Sequence, residues 1–136
     1  LGLGDQTGRT SPTKVGTDTW TAVAAGAEHS LAINSDGYLY SFGYNTFGQL
    51  GLGDTTTRTS PTKVGTDTWT AVACGYYHSL AIDSDGYLYS FGYNNYGQLG
   101  QGTSDTNAHP TPTKVGTSTW IAVACGVHHS LPLGGD

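Results

Sequence analysis

Residues 69–100 read WTAVACGYYHSLAIDSDGYLYSFGYNNYGQLG, and nothing in this stretch has the 3.6-residue period of an amphipathic helix. The pattern is that of short strands. In the copy that begins at Trp20, Thr21–Gly26 is a run of small residues, and His29–Ile33 alternates in the β manner. Ser35-Asp36-Gly37 supplies a hairpin turn. Tyr38–Phe42 is again a strand, with Tyr38, Tyr40 and Phe42 on one face. A glycine-rich loop runs from Gly43 to Gly53, and Pro61–Val64 makes a short strand whose proline suits an edge.

The stretch is a repeat. Residues 1–49 and 50–98 align without a gap and differ at Gln6/Thr55, Gly8/Thr57, Ala25/Cys74, Ala27/Tyr76, Glu28/Tyr77, Asn34/Asp83, Thr46/Asn95 and Phe47/Tyr96. A third copy, 99–136, carries a two-residue insertion around Asn107–His109 and stops early. Trp20, Trp69 and Trp120 recur in step, as do His29, His78 and His129, and these six are read as structural anchors of the repeat. One repeat holds about four strands, and the small-residue strand suits the crowded place where four-stranded sheets converge around an axis. The expected class is therefore all-β, with β-propeller blades of four antiparallel strands and an incomplete ring in one chain. Residues 1–136 form a single repeat region, with whole blades at about 20–67 and 69–118.

Trp69–Gly75, His78–Ala81, Ser84–Gly86 and Gly92–Gly100 together resemble the regulator-of-chromosome-condensation repeat, and the resemblance covers essentially the whole chain. It implies a seven-bladed propeller. It also implies kinship with a guanine-nucleotide exchange factor for a small GTPase, with bacterial β-lactamase inhibitors and with many scaffolds. This chain has too few blades for such a ring, so it is expected to be cut from a longer propeller or to complete a ring with copies of itself. The absence of methionine likewise points to a processed chain or a fragment.

Composition narrows the function classes. Charged residues make up 11% of the chain and the net charge is −5. The cations Arg9, Lys14, Arg58, Lys63 and Lys114 are spread at repeat spacing rather than clustered, so nucleic acid is not the expected partner. No apolar run approaches the roughly 18 residues of a membrane-spanning helix, so no membrane partner is expected. Cys74 and Cys125 stand where the first copy has Ala25, which reads as two small buried thiols, with a Cys74–Cys125 disulfide as the alternative.

The regularly spaced histidines invite a metal reading, but their spacing is the repeat itself, so they belong to separate blades rather than to one ligand set. Asp83-Ser84-Asp85-Gly86 begins like a calcium loop yet lacks the distal glutamate, and Asn34-Ser35-Asp36-Gly37 fills the same turn in the first copy. Leu-Gly-Leu-Gly-Asp at 1–5 and 50–54 lacks the lysine of a phosphate loop. His29 and Ser30 are strand neighbours pointing to opposite faces, the wrong arrangement for a nucleophile and its base. No metal, cofactor or catalytic residue is expected.

Positions where near-identical copies disagree are those free to specialise. Ala27-Glu28, Tyr76-Tyr77 and Val127-His128 fill one such slot, and Phe47 and Tyr96 fill another. Loop tyrosines present large rigid area at low entropic cost. Tyr76, Tyr77, Tyr96 and His128 are therefore the candidate binding residues. The expected role is a non-enzymatic scaffold binding a protein partner. A self-assembling propeller piece is the alternative, and exchange-factor activity is third.

Overall fold

The computed structural model describes residues 1–11, 13–125 and 130–134, with Cys125 and residues 131–134 described by backbone alone. Eight strands follow one another: β1 (Trp20–Ala25), β2 (His29–Asn34), β3 (Tyr38–Gly43), β4 (Arg58–Cys74), β5 (His78–Asp83), β6 (Tyr87–Gly92), β7 (His109–Cys125) and β8 (Ser130–Gly134). Each pairs antiparallel with the next, in the order of the chain. This is an arc of propeller blades rather than a closed ring.

The sequence predicted a short strand at 61–64, separate from the small-residue strand that follows. The two are instead one continuous strand of 17 residues, β4, and the same holds for β7. The first part of β4 pairs with β3, Tyr40 opposite Lys63, and closes one sheet; the part from Trp69 to Cys74 pairs with β5 and opens the next. Gly65 makes this possible: its φ of 61° is a left-handed conformation that costs glycine little, and it lies where the β3–β4 register shifts.

The copy at the N-terminus shows what makes the outer strand. Residues 13–15 have the same sequence as 62–64, yet 13–15 enter no ladder, whereas 62 and 63 are held by Ser41 and Tyr40. That strand is a product of its partner, not of its own propensity.

Alternation along the strands decides how the sheets stack. Leu31, Ile33 and Leu39 of the first sheet share a buried cluster with Trp69, Ala81 and Phe91 of the second, and Val72, Cys74 and Tyr89 pack against it. Leu80, Ile82 and Leu88, on the opposite face of the second sheet, meet Val115, Trp120 and Val123. The tryptophan anchors add edge-to-face contacts, Trp20 on Tyr40 at 5.4 Å and Trp69 on Tyr89 at 5.2 Å. The Cys125 side chain lies outside the described residues, and with it the choice between two thiols and a disulfide.

The same stacking aligns a polar link through the apolar interface. His29 Nε2 lies 2.9 Å from Ser79 Oγ of the next sheet, and Ser79 Oγ donates to the Gln49 carbonyl at 2.7 Å. One repeat later, His78 Nε2 lies 3.1 Å from Ser130 Oγ, which donates to the Gln98 carbonyl at 2.8 Å. A carbonyl only accepts, so each serine proton is committed to it. The histidine must then donate, which fixes the Nε2–H tautomer. Burial, reinforced by the neighbouring His78, holds His29 down at about 4 from its ordinary 6.5. His129 lies outside the described residues.

Two outcomes follow from this link. Ser79→Ala leaves a buried imidazole N–H and a buried carbonyl without partners, a loss of roughly 2–4 kcal/mol. Ser30, in the same slot of the first sheet, makes no such bond among the described residues, so Ser30→Ala costs less than about 0.5 kcal/mol. Urea unfolding of the two variants compares them, and equal losses would contradict the link. The second outcome concerns pH. The folded state refuses a proton that the unfolded state takes up below 6.5, so stability is full above that pH and falls as the pH drops toward 4. The loss over this window is roughly 3 kcal/mol at 1.36 kcal/mol per pKa unit. His29→Gln should flatten the profile there, and a variant with an unchanged slope would show that another group carries it.

Candidate protein-contact surface

The β1–β2 and β4–β5 turns lie at the same end of the sheets as the long loops 44–57 and 93–108. Local polar contacts hold those loops in shape. Asn45 Oδ1 accepts from Leu50 N at 3.0 Å, while its Nδ2 donates to the carbonyls of Asp54 and Thr56 at 3.0 Å each. Gln49 Oε1 accepts from Phe47 N at 3.0 Å, and Ser41 Oγ donates to the Leu50 carbonyl at 2.8 Å. Asn94, Gln98 and Ser90 repeat these contacts around Tyr96 and Leu99. Asn45, Gln49, Ser41 and Asn94 are fully buried, so their amides and hydroxyls replace the water that loop backbone would otherwise need. Because Ser79 grips the Gln49 carbonyl, each loop is also fastened to the following sheet.

This scaffold gathers aromatic rings. Phe47 lies 5.2 Å from Tyr77 and 4.7 Å from Tyr93; Tyr77 reaches Tyr76 and Tyr93 at 6.2 Å each, and Tyr93 reaches Tyr96 at 6.4 Å. The predicted Tyr76, Tyr77 and Tyr96 thus belong to one connected cluster. They are joined through Phe47, which the repeat comparison singled out without choosing it, and through Tyr93, which it missed. Tyr93 equals Tyr44 of the first copy and so carried no signal of difference. The signal was its neighbour: a Cβ at Gly92, φ 109°, would stand 2.6 Å from the Tyr77 carbonyl, so glycine alone brings Tyr93 N to that carbonyl at 2.9 Å. Tyr76 is 49% exposed and Tyr96 61%. His128 lies outside the described residues.

The electrostatics of this end are mostly balanced in place. Arg9 bridges Asp5 at 2.7 Å, Arg58 bridges Asp54 at 2.8 Å, and His109 takes the place of an arginine opposite Asp105 at 2.8 Å. The Arg58 guanidinium lowers the Asp54 carboxyl, and hydrogen bonding to His109 lowers that of Asp105. At the other end, Asn34 Oδ1 and Asp83 Oδ1 each accept from the backbone N–H groups two and four residues on, at 2.9–3.1 Å. One acceptor oxygen serves the turn in both copies, which is why amide and carboxylate interchange there.

The histidine–serine contact has no nucleophilic chemistry. Ser79 is buried, its proton points at a carbonyl, and its histidine is a donor rather than a base. His29 and His78 each bond a serine of the following repeat, and no group of three or more metal-ligating side chains occurs among the described residues.

Known proteins share these features. A family model for the regulator of chromosome condensation (RCC1) repeat matches residues 36–82 and 85–133, and a second RCC1-repeat model matches 20–49 and 69–98. The chain is similar to the ultraviolet-B receptor UVR8 of Arabidopsis thaliana, 40% identical over 53 residues, 37% of this chain and 12% of that protein. Among solved structures it resembles Prp20p of Saccharomyces cerevisiae, studied with its binding to Gsp1p and histones. The TM-score is 0.79 at 25% identity, over 91% of this chain and 33% of Prp20p. Prp20 bound to Kap60 gives 0.78 at 25% identity, over 91% of this chain and 32% of that one. Human WBSCR16 gives 0.74 at 25% identity, over 85% and 31%. The chain thus spans about a third or less of the length of the relatives it matches. With both family models matching repeated strands whose stacking is that of propeller blades, this chain belongs to the regulator of chromosome condensation (RCC1) repeat family of β-propellers.

Proposed function

We propose that this chain is a non-enzymatic, protein-binding propeller segment, and that its contact surface is the aromatic cluster of Phe47, Tyr76, Tyr77, Tyr93 and Tyr96. One observation carries the reading. Rings from two successive repeats converge on loops that buried amides hold rigid, and the exposed members sit where otherwise near-identical copies differ. Rigid, partly exposed tyrosines lose little entropy on binding and dominate protein interfaces. Prp20p binds Gsp1p and histones, and Prp20 is bound by Kap60, so protein binding is in keeping with the relatives. His128, in the slot of Tyr77, belongs to the same proposed surface.

Selection of random 12-residue peptides displayed on phage tests this reading. Enriched clones are expected to lose binding to the chain carrying Tyr76→Ala and Tyr96→Ala by tenfold or more, about 1.4 kcal/mol. They should retain binding to Tyr38→Ala, which alters the opposite end. Clones indifferent to the first pair would overturn the proposal.

A second reading, self-association of propeller pieces, rests on a different observation. Val23 is 74% exposed, whereas its counterpart Val72 packs into the core against the preceding sheet. Light scattering across a dilution series distinguishes the two: a discrete oligomer that Val23→Asp dissolves supports self-association, and a monomer at all concentrations excludes it.

A further inference from the structure

The outer strands carry one short polar motif, and from it we infer that Ser60 and Thr111 are phosphoacceptors for a proline-directed serine/threonine kinase. The sequence runs Arg58-Thr59-Ser60-Pro61-Thr62-Lys63 in β4 and His109-Pro110-Thr111-Pro112-Thr113-Lys114 in β7. Residues 9–14 carry the motif a third time, with Ser11 as the hydroxyl. In each copy the hydroxyl is followed at once by proline and, three residues on, by lysine. Proline lacks a backbone N–H. A kinase cleft with no acceptor at that position therefore admits proline and rejects residues that would bury an unpaired N–H. The lysine answers an anionic group on the kinase.

The fold presents the motif instead of consuming it. Ser60 and Thr111 are exposed, whereas Ser41, Ser79 and Ser90 are buried and donate to carbonyls. The β3–β4 register shifts between Ser41 and Gly43, so Phe42 alone stands opposite Thr59, Ser60 and Pro61. The β6–β7 ladder shifts in the same way between Ser90 and Gly92, opposite Thr111. The acceptor thus bulges off the ladder in both sheets. Its local shape is written in the motif itself. Thr62 Oγ1 donates to the Ser60 carbonyl and Thr113 Oγ1 to the Thr111 carbonyl, each at 3.1 Å. Thr13 Oγ1 makes the same 3.1 Å bond to the Ser11 carbonyl although Thr13 enters no ladder. A residue before proline is held extended, the form in which a substrate segment lies in a protein-kinase cleft.

The basic determinant is also held in place. Lys63 and Lys114 are exposed, and their Nζ atoms stand 3.6 Å over the Tyr38 ring and 3.7 Å over the Tyr87 ring. There is room for the product as well. Thr111 borders an open cavity of about 370 Å³ that Lys63 and Asp67 also line, and Ser60 Oγ lies beside Gly4, which has no side chain to obstruct it. In the reaction the hydroxyl oxygen bonds the γ-phosphorus of ATP, the bond from that phosphorus to the β–γ bridging oxygen breaks, and ADP leaves. The hydroxyl proton passes to the catalytic aspartate of the kinase. Each phosphate adds roughly −1.5 to −2 of charge to a chain whose net charge is already −5.

The test incubates the 136-residue chain with ATP and a cyclin-dependent kinase, which selects proline after the acceptor and a basic residue three positions on. Tandem mass spectrometry maps the phosphate, which is expected on Ser60 and Thr111 and not on the buried Ser41, Ser79 or Ser90. Pro61→Ala should lower incorporation at Ser60 by roughly tenfold or more and leave Thr111 unchanged, and Pro112→Ala should do the reverse. Lys63→Ala should lower incorporation at Ser60 roughly 3- to 5-fold, and Lys63→Arg should restore it. The untouched site in each variant, with an unchanged circular dichroism melt, shows that the fold is kept. No phosphate at either residue would overturn the inference, and phosphate at one alone would overturn the assignment of the other. Phosphorylation of a synthetic peptide of residues 55–66 without phosphorylation of the folded chain would overturn it too, because the fold would then hide the motif. Incorporation indifferent to the proline variants would do the same.

Discussion

Everything at the loop end depends on a buried chain of two hydrogen bonds: a histidine of one repeat, a serine of the next, and a carbonyl of the loop between them. Apolar burial between sheets is stronger in total but non-directional, and it would tolerate some sliding of one sheet over another. The histidine–serine–carbonyl link does not. It joins residues 50 apart in sequence and fixes one register between blades. Its last acceptor is the Gln49 carbonyl, and the Gln49 side chain in turn holds Phe47 N, so blade spacing and loop shape are set by the same contacts. An Nε2–H on the imidazole is the condition for this, and burial keeps the ring that carries it neutral.

Much of this architecture could be read from the sequence, because repetition multiplies each weak signal. A single run such as Tyr38–Phe42 is an ambiguous strand; the same run recurring at Tyr87 with the tryptophan and histidine in step is not. The turn chemistry was legible too, since Asn34 and Asp83 share one acceptor geometry. Three things were hidden. The fusion of outer and inner strands into β4 depends on a conformation at Gly65 and on pairing with two different sheets, neither of which has a local pattern. The serine partner of each histidine lies in the next repeat, so adjacent residues such as His78 and Ser79 point apart because each serves a different interface, a pairing that no local pattern shows. Tyr93 escaped because comparing copies finds what changed, and Tyr93 gains its setting from what changed beside it.

The two ends of the sheets use the same residue types differently. At the turn end, Tyr38 and Tyr87 are capped by lysines from the neighbouring strand, so their faces are satisfied within the chain. At the loop end, glycine-tight turns bring Tyr77, Tyr93 and Phe47 against one another while the nearby cations are bridged to aspartates. Position within the frame, rather than residue type, separates a tyrosine capped within the chain from one in the proposed contact surface. That is also how a repeat fold diversifies: the buried polar links stay constant, and a few slots on the held loops vary.

The most direct test of this account is the protonation state of the buried imidazoles, read by nitrogen-15 NMR of histidine-labelled protein. The account predicts a neutral His29 in the Nε2–H tautomer from neutral pH down to about 5, with a ring N–H proton slow enough to observe and a midpoint near 4. A His29 that titrates near 6.5 with a rapidly exchanging ring proton would contradict it, because the link between blades would then not be the buried, directional contact on which the loop end depends.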